Sequence, residues 1–100
     1  MNVYFSEIAK FRFKKLTFYL LENWSLHTKN DFLNKFDNKI SQIKHQPYSC
    51  IESIKFKGLY KCVVTKQTTF YYRFSEKKQE IEIITIFDTR QNPNKLYLDL

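Results

Sequence analysis

The clearest candidates for chemistry are cations at the end of the last strand-like run of the chain. Arg90 lies in a polar turn that Asp88 begins and Pro93 ends, and Lys95 follows that turn. Functional groups gather in loops that a rigid scaffold holds, and a guanidinium group in such a loop could bind a phosphate or another anion. The same group could instead bond carbonyl oxygens of the turn or pair with Asp88. The sequence leaves both roles of Arg90 open.

Further cations occupy the strand-like runs that precede this turn. Four lysines surround the run from Tyr60 to Thr65: Lys55, Lys57, Lys61 and Lys66. They could attract an anionic partner, or they could form a solvated edge that resists aggregation. Arg73 lies within the following run, where a cross-strand pair with Glu80 or Glu82 is the favoured interpretation.

The histidines and cysteines do not indicate a metal site. His27 and His45 lie near predicted helix ends, with no cysteine or carboxylate at ligand spacing. Cys50 and Cys62 also lack the close spacing of metal ligands, and in a reducing compartment free thiols are far commoner than disulfides. We therefore interpret both cysteines as structural thiols and expect neither a metal nor a cofactor.

Composition and charge limit the class of protein. A length of 100 residues predicts a single domain over residues 1–100. The chain can bury a hydrophobic core, because 43% of its residues are hydrophobic and 18% are aromatic. The net charge of +7 favours an anionic partner, either nucleic acid or an acidic protein segment. No apolar run approaches membrane-spanning length and the N-terminus lacks a signal-peptide pattern, so we expect a cytoplasmic protein without a membrane partner.

The N-terminal half predicts a strand followed by two helices. Residues Asn2 to Phe5 read as a short strand, and Ser6 then caps a helix that runs to about Asn23. Thr28 and Asp31 resemble a capping box for the second helix. The apolar stripes of these helices are Ala9, Phe13, Leu16 and Leu20, and then Phe32, Phe36, Ile40 and Ile43. Pro47 ends the second helix.

The C-terminal half predicts an antiparallel meander. Its strands are Tyr60 to Thr65, Thr68 to Phe74 and Glu80 to Asp88, which are rich in β-branched and aromatic residues. The segment from Gln46 to Phe56 is expected to be a loop or a short irregular strand. The fold class is therefore α+β: an N-terminal strand, an antiparallel two-helix hairpin, and a three-stranded meander that completes a four-stranded sheet.

The last strand carries apolar residues on both of its predicted faces. Strict alternation places Ile81, Ile83, Thr85 and Phe87 on one side, and Glu82, Ile84 and Ile86 on the other. The two helices can cover only one face of the sheet. We therefore expect the C-terminal tail or a segment of a partner to cover the other face.

Four segments in this order resemble the RelE/ParE superfamily of type II toxin–antitoxin toxins. They are FSEIAKF, GLYKCVV, TTFYYRF and IEIITIFDTRQNPNKL, with Trp24 near the end of the first helix. The resemblance covers nearly the whole chain. It implies a small basic toxin that forms a hetero-oligomer with a cognate antitoxin, whose C-terminal segment wraps around it.

Two branches of that superfamily act differently, so the resemblance leaves open whether the chain is an enzyme. The RelE-like branch cuts messenger RNA on the ribosome, and there Arg90 and Lys61 match cationic positions while Tyr97 approximates a C-terminal tyrosine. Thr69 stands where that branch has an arginine, and no histidine follows His45. The ParE-like branch poisons DNA gyrase and needs no catalytic residues.

These departures favour the ParE-like branch, with Arg90, Lys61, Arg73 and Lys95 as target-binding candidates. Ribosome-dependent cleavage of messenger RNA is the alternative function. A second alternative is a toxin-like module that only binds an antitoxin and has lost its cellular target.

Overall fold

The computed structural model describes residues 1–91 and contains two helices and five strands in that range. In chain order they are β1 (Asn2–Phe5), α1 (Glu7–Asn23), α2 (Leu26–His45), β2 (Ile51–Glu52), β3 (Tyr60–Val63), β4 (Thr68–Ser75) and β5 (Glu80–Asp88). The predicted α+β class, with two helices inserted after the first strand, is confirmed. Within the described residues, no helix is both long enough and apolar enough to cross a membrane.

The strands form one mixed sheet in the order β1-β5-β4-β3-β2. The meander β3-β4-β5 is antiparallel as predicted, and β1 pairs in parallel with β5. The fifth strand, β2, consists of two residues that pair with β3 at the edge of the sheet. It lies in the segment expected to be a loop or a short irregular strand.

Strand β3 is shorter than its apolar run because a tight turn follows it. The run continues to Thr65, but the backbone N–H groups of Val64 and Thr65 both donate to the carbonyl oxygen of Thr68. The Thr65 hydroxyl in turn accepts from the backbone of Gln67 and Thr68. These bonds close the turn between β3 and β4, so strand pairing ends at Val63.

Helix α1 begins where the sequence predicts, at a serine that also bonds to the sheet. The Ser6 hydroxyl accepts a hydrogen bond from the backbone N–H of Ala9 at 3.1 Å, which is the geometry of an N-cap. The same hydroxyl donates to the carbonyl oxygen of Ile84 at 2.6 Å. A single side chain thereby fixes the start of α1 against β5.

The predicted cap of α2 is wrong. Helix α2 begins at Leu26 with Ser25 as its N-cap, and the Ser25 hydroxyl accepts from the backbone N–H of Thr28. Thr28 therefore lies within the first turn, where its hydroxyl accepts from Ser25 at 3.0 Å. The shorter link brings α2 directly after α1. The helix ends at His45, two residues before Pro47, as expected.

The core is a cluster of aromatic rings between the two helices and one face of the sheet. Phe13 of α1 and Phe36 of α2 lie 5.0 Å apart between ring centroids, and Phe36 lies 5.4 Å from Phe70 of β4. Phe70 and Tyr72 are completely buried. The helices thus pack on the sheet through tilted and edge-on rings.

The predicted faces of β5 are wrong beyond Ile84, because a β-bulge lies there. In the register, Tyr71 pairs with Thr85 while its neighbour Tyr72 pairs with Ile83, so Ile84 is an extra residue. The extra residue shifts the alternation by one position. Beyond the bulge, Ile86 joins the core, whereas strict alternation placed Phe87 with Ile81 and Ile83.

The two hydrogen bonds of the Ser6 hydroxyl lead to a stability prediction. Replacing Ser6 with Ala removes both the helix cap and the donor to the bulge carbonyl, so the free energy of unfolding should fall by about 1–2 kcal/mol. Urea unfolding measures the change. Ser41→Ala is a matched control, because Ser41 is an exposed residue inside α2. Equal stability of both variants would contradict the role of Ser6.

Candidate functional site

A cleft of about 350 Å³ lies between one side of α1 and the end of β5. Its charged residues are Arg12 and Lys15 from α1, with Asp88 and Arg90 from the end of β5 and the turn after it. Ile8, Phe11 and Tyr19 add apolar and aromatic surface. Three cations against one carboxylate give the cleft a positive character, which suits an anionic group.

Asp88 is the most constrained charged residue of the cleft. Its side chain is 1% exposed, and one oxygen accepts from Nη2 of Arg90 at 2.7 Å. The other oxygen accepts from Nε and the backbone N–H of Arg90 at 3.0 and 2.9 Å. The hydroxyl of Thr68 in β4 donates to the same carboxylate. A buried carboxylate needs such partners, because an unpaired charge would be costly to desolvate.

These contacts set the protonation of the pair. Burial alone would raise the pKa of Asp88, but hydrogen bonds from Arg90 and Thr68 outweigh burial and hold that pKa below its ordinary value. The same hydrogen bond has the opposite effect on its donor and raises the pKa of Arg90. Both groups are therefore charged at neutral pH, and the interaction is a bidentate ion pair.

Arg90 also links the end of β5 to the helical hairpin. Its guanidinium carbon lies 5.8 Å from the ring centroid of Trp24, the residue directly after α1. The guanidinium group therefore has the carboxylate of Asp88 at one edge and an indole ring nearby. Of the two roles that the sequence left open for Arg90, pairing with Asp88 is the arrangement in the structure.

Helix α1 contributes two cations to the cleft, Arg12 and Lys15, which are not among the predicted site residues. Arg12 donates from Nη1 to the hydroxyl of Thr85 at 3.3 Å, and partial burial lowers the pKa of Arg12. Lys15 places its ammonium group 5.9 Å from the ring centroid of Phe11. The available signal was helical spacing, because Arg12, Lys15 and Tyr19 recur at intervals of three and four residues.

Next to the cleft, the outer side of α1 presents apolar side chains to solvent. We call this surface the hairpin stripe and define it as Phe11, Phe18, Leu21 and Trp24. The exposed fractions are 64% for Phe11, 65% for Phe18, 43% for Leu21 and 58% for Trp24. Phe11 also lines the cleft, and Trp24 lies against Arg90, so the two surfaces are continuous. Contiguous exposed apolar side chains of this kind mark interaction sites.

Two other predicted site residues, Lys61 and Arg73, do not line this cleft. Lys61 is exposed on β3, and its register partner Tyr71 pairs in turn with Thr85 of β5. Two strand spacings therefore separate Lys61 from β5, or about 10 Å. Arg73 pairs with Glu82 across the strands at 3.7 Å, which confirms its structural interpretation.

Two predicted site residues, Lys95 and Tyr97, lie outside the described residues. Their roles stay predictions. Among residues 1–91, no group of three or more histidine, cysteine or acidic side chains is arranged to hold a metal ion.

The comparison with solved structures identifies the fold. A YoeB/ParE toxin from Agrobacterium tumefaciens is 17% identical to this chain, with a TM-score of 0.65 over 88% of this chain and 98% of that one. The chain has the YoeB/ParE toxin fold. A YoeB dimer from Staphylococcus aureus is 14% identical, with a TM-score of 0.59 over 87% and 94% of the two chains. The fold implied by the RelE/ParE resemblance is thus confirmed. No protein-family model and no curated protein matches the sequence.

The pairing of Asp88 predicts how stability depends on pH. A carboxyl group with a lowered pKa in the folded state stabilises the fold above its unfolded pKa, about 3.9 for Asp. That contribution is lost as the pH falls through the folded-state pKa, so acid should destabilise the fold. Asp88→Asn should reduce this acid dependence and lower the free energy of unfolding at neutral pH by about 3 kcal/mol.

Urea unfolding over a series of acidic to neutral pH values measures both effects. Asp37→Asn is the matched control, because Asp37 is an exposed carboxylate of α2. It should leave stability within about 0.5 kcal/mol of the unaltered chain. An Asp88→Asn variant with the full acid dependence would contradict the assignment.

Proposed function

We propose that the chain is the toxin of a toxin–antitoxin pair and that it arrests growth by binding DNA gyrase. The observation that carries the proposal is the YoeB/ParE toxin fold, which spans nearly all of both matched chains. The second support is the continuous surface formed by the basic cleft and the hairpin stripe. Such a surface suits stable binding to a large partner.

The hairpin stripe is the proposed contact with the target. Exposed aromatic side chains that project from a helix can be inserted into pockets of a partner, and aromatic residues dominate the energy of many interfaces. Arg12 and Lys15 lie beside the stripe and would add attraction to an acidic surface. In this proposal Arg90 is a positioning residue, because its contacts are with Asp88 and Trp24.

The geometry supports binding better than cleavage of RNA. Metal-free cleavage needs a base, an acid and cations around one phosphate. The resemblance offered Arg90 and Lys61 as two such cations, but Lys61 does not line the cleft of Arg90. Arg90 also directs two donors of its guanidinium group to Asp88. Any contribution of Lys61, Arg73 and Lys95 to target binding stays a prediction.

A cognate antitoxin is the second proposed partner, in a cytoplasmic hetero-oligomer. The net charge of +7 favours an acidic segment, and an amphipathic helix could cover the hairpin stripe with its apolar face. Such a helix would block the same surface that binds the target. Neutralisation then requires no change in the fold of the toxin.

Inhibition of purified DNA gyrase tests the proposed target. The chain should inhibit supercoiling, and Phe18→Ser should raise the concentration needed by about tenfold or more, because an aromatic anchor is lost. Ile54→Ser is the matched control: Ile54 is fully exposed but lies outside the hairpin. Normal supercoiling at large excess of the unaltered chain would contradict the proposal.

Translation reactions on purified ribosomes test the alternative activity. The proposal predicts that messenger RNA stays intact when the chain is added. Cleavage at the codon in the A site, abolished by Arg12→Gln or Lys61→Ala, would contradict the proposal and support a ribonuclease. Expression without any growth defect would instead support a module that only binds an antitoxin.

A further inference from the structure

The two cysteines of the chain lie opposite each other at the edge of the sheet. In the register of β2 and β3, Ile51 pairs with Lys61. One position further along the same antiparallel register, Cys50 faces Cys62. Both are free thiols: Cys62 is 1% exposed, and Cys50 is half-buried against the core.

The hydrogen-bond pattern places this pair at a position suited to a covalent link. The backbone N–H of Ser53 donates to the carbonyl oxygen of Leu59 at 2.7 Å, and bonded and non-bonded pairs alternate along an antiparallel ladder. Counting back three positions, Cys50 and Cys62 form a non-bonded pair. Such pairs have Cα atoms about 4.5 Å apart, which lies within the range that a disulfide spans.

The electrostatic environment of the thiols agrees with this placement. Burial raises the pKa of Cys62, the neighbouring Cys50 thiol raises it further, and Lys39 lowers it. The phenol of Tyr72 donates to the carbonyl oxygen of Pro47 at 2.6 Å, and burial together with the nearby Cys50 raises the pKa of Tyr72. Tyr72 and Lys39 are therefore among the residues near the pair.

We propose that Cys50 and Cys62 form a reversible intramolecular disulfide that ties β2 to β3 under oxidising conditions. The oxidant is a low-molecular-weight disulfide such as glutathione disulfide. The more exposed Cys50 attacks it as the thiolate, which forms a mixed disulfide and releases one glutathione. Cys62 then loses its proton as its sulfur attacks the Cys50 sulfur, which releases the second glutathione. The two protein thiols lose two protons and two electrons, and the oxidant gains both to become two thiols.

The disulfide would restrict the loop that forms one wall of a second cleft. The disulfide closes the chain between Cys50 and Cys62 into a loop that contains residues 56–59, which line that cleft with Arg73 and Ile84. Closing such a loop restricts the unfolded chain. It also fixes the two-residue strand β2, whose pairing with β3 is otherwise short. The inference is independent of the proposed cellular target.

Oxidation of the full chain tests the proposal. After incubation with glutathione disulfide at mildly alkaline pH and acid quenching, the intact mass should fall by two hydrogens, and the unfolded protein should take up no maleimide. Reduction with dithiothreitol should restore two labelled thiols. The melting temperature of the oxidised chain should be higher by about 5–10 °C. The amide of Ser53 should exchange with solvent more slowly.

Single-cysteine variants supply the controls. Cys62→Ser should retain one glutathione on Cys50, and Cys50→Ser should keep Cys62 reduced because Cys62 is buried. If neither variant folds, the mass and labelling of the unaltered chain still decide the question. Two labelled thiols, a persistent glutathione adduct or disulfide-linked dimers from the unaltered chain would each overturn the proposal.

Discussion

The arrangement of the site depends on one buried carboxylate at the end of β5. Asp88 accepts hydrogen bonds from Thr68 on the neighbouring strand and from Arg90 in the following turn. Arg90 in turn lies against Trp24 at the end of α1. Because a buried carboxylate without partners is strongly destabilising, the bonds from Thr68 and Arg90 are required in the folded state. Asp88 thus joins the start of β4 to the turn after β5, and Arg90 connects this turn to the end of α1.

This constraint decides which surfaces remain for a partner. The guanidinium of Arg90 is engaged by Asp88, so the accessible features of the region are Arg12 and Lys15 in the cleft and the hairpin stripe beside it. Charge attracts a partner over distance, whereas apolar side chains supply most of the affinity after contact. A basic cleft that borders an exposed aromatic surface combines both properties, which is the physical basis of the proposed binding activity.

Much of the fold follows from local signals in the sequence. Ser6 predicts the start of α1, and the β-branched run from Glu80 to Asp88 gives the bounds of β5 as the structure has them. Other features depend on tertiary contacts. Strand β2 consists of only two residues, both exposed, and the bulge at Ile84 follows from the register with β4. The sequence also offers both Ser25 and Thr28 as caps of α2, and the structure uses Ser25. The sequence offered the pairing of Arg90 with Asp88 as one alternative, but only the folded turn selects it.

The energetic coupling between Asp88 and Arg90 tests the account most directly. A double-mutant cycle with Asp88→Asn, Arg90→Gln and the double variant, followed by urea unfolding, isolates their interaction from the other contacts of each residue. The account predicts a coupling free energy of about 1–3 kcal/mol, because the ion pair is bidentate and mostly buried. Additive effects of the two substitutions, with no coupling, would contradict the claim that the arrangement of the site depends on this pair.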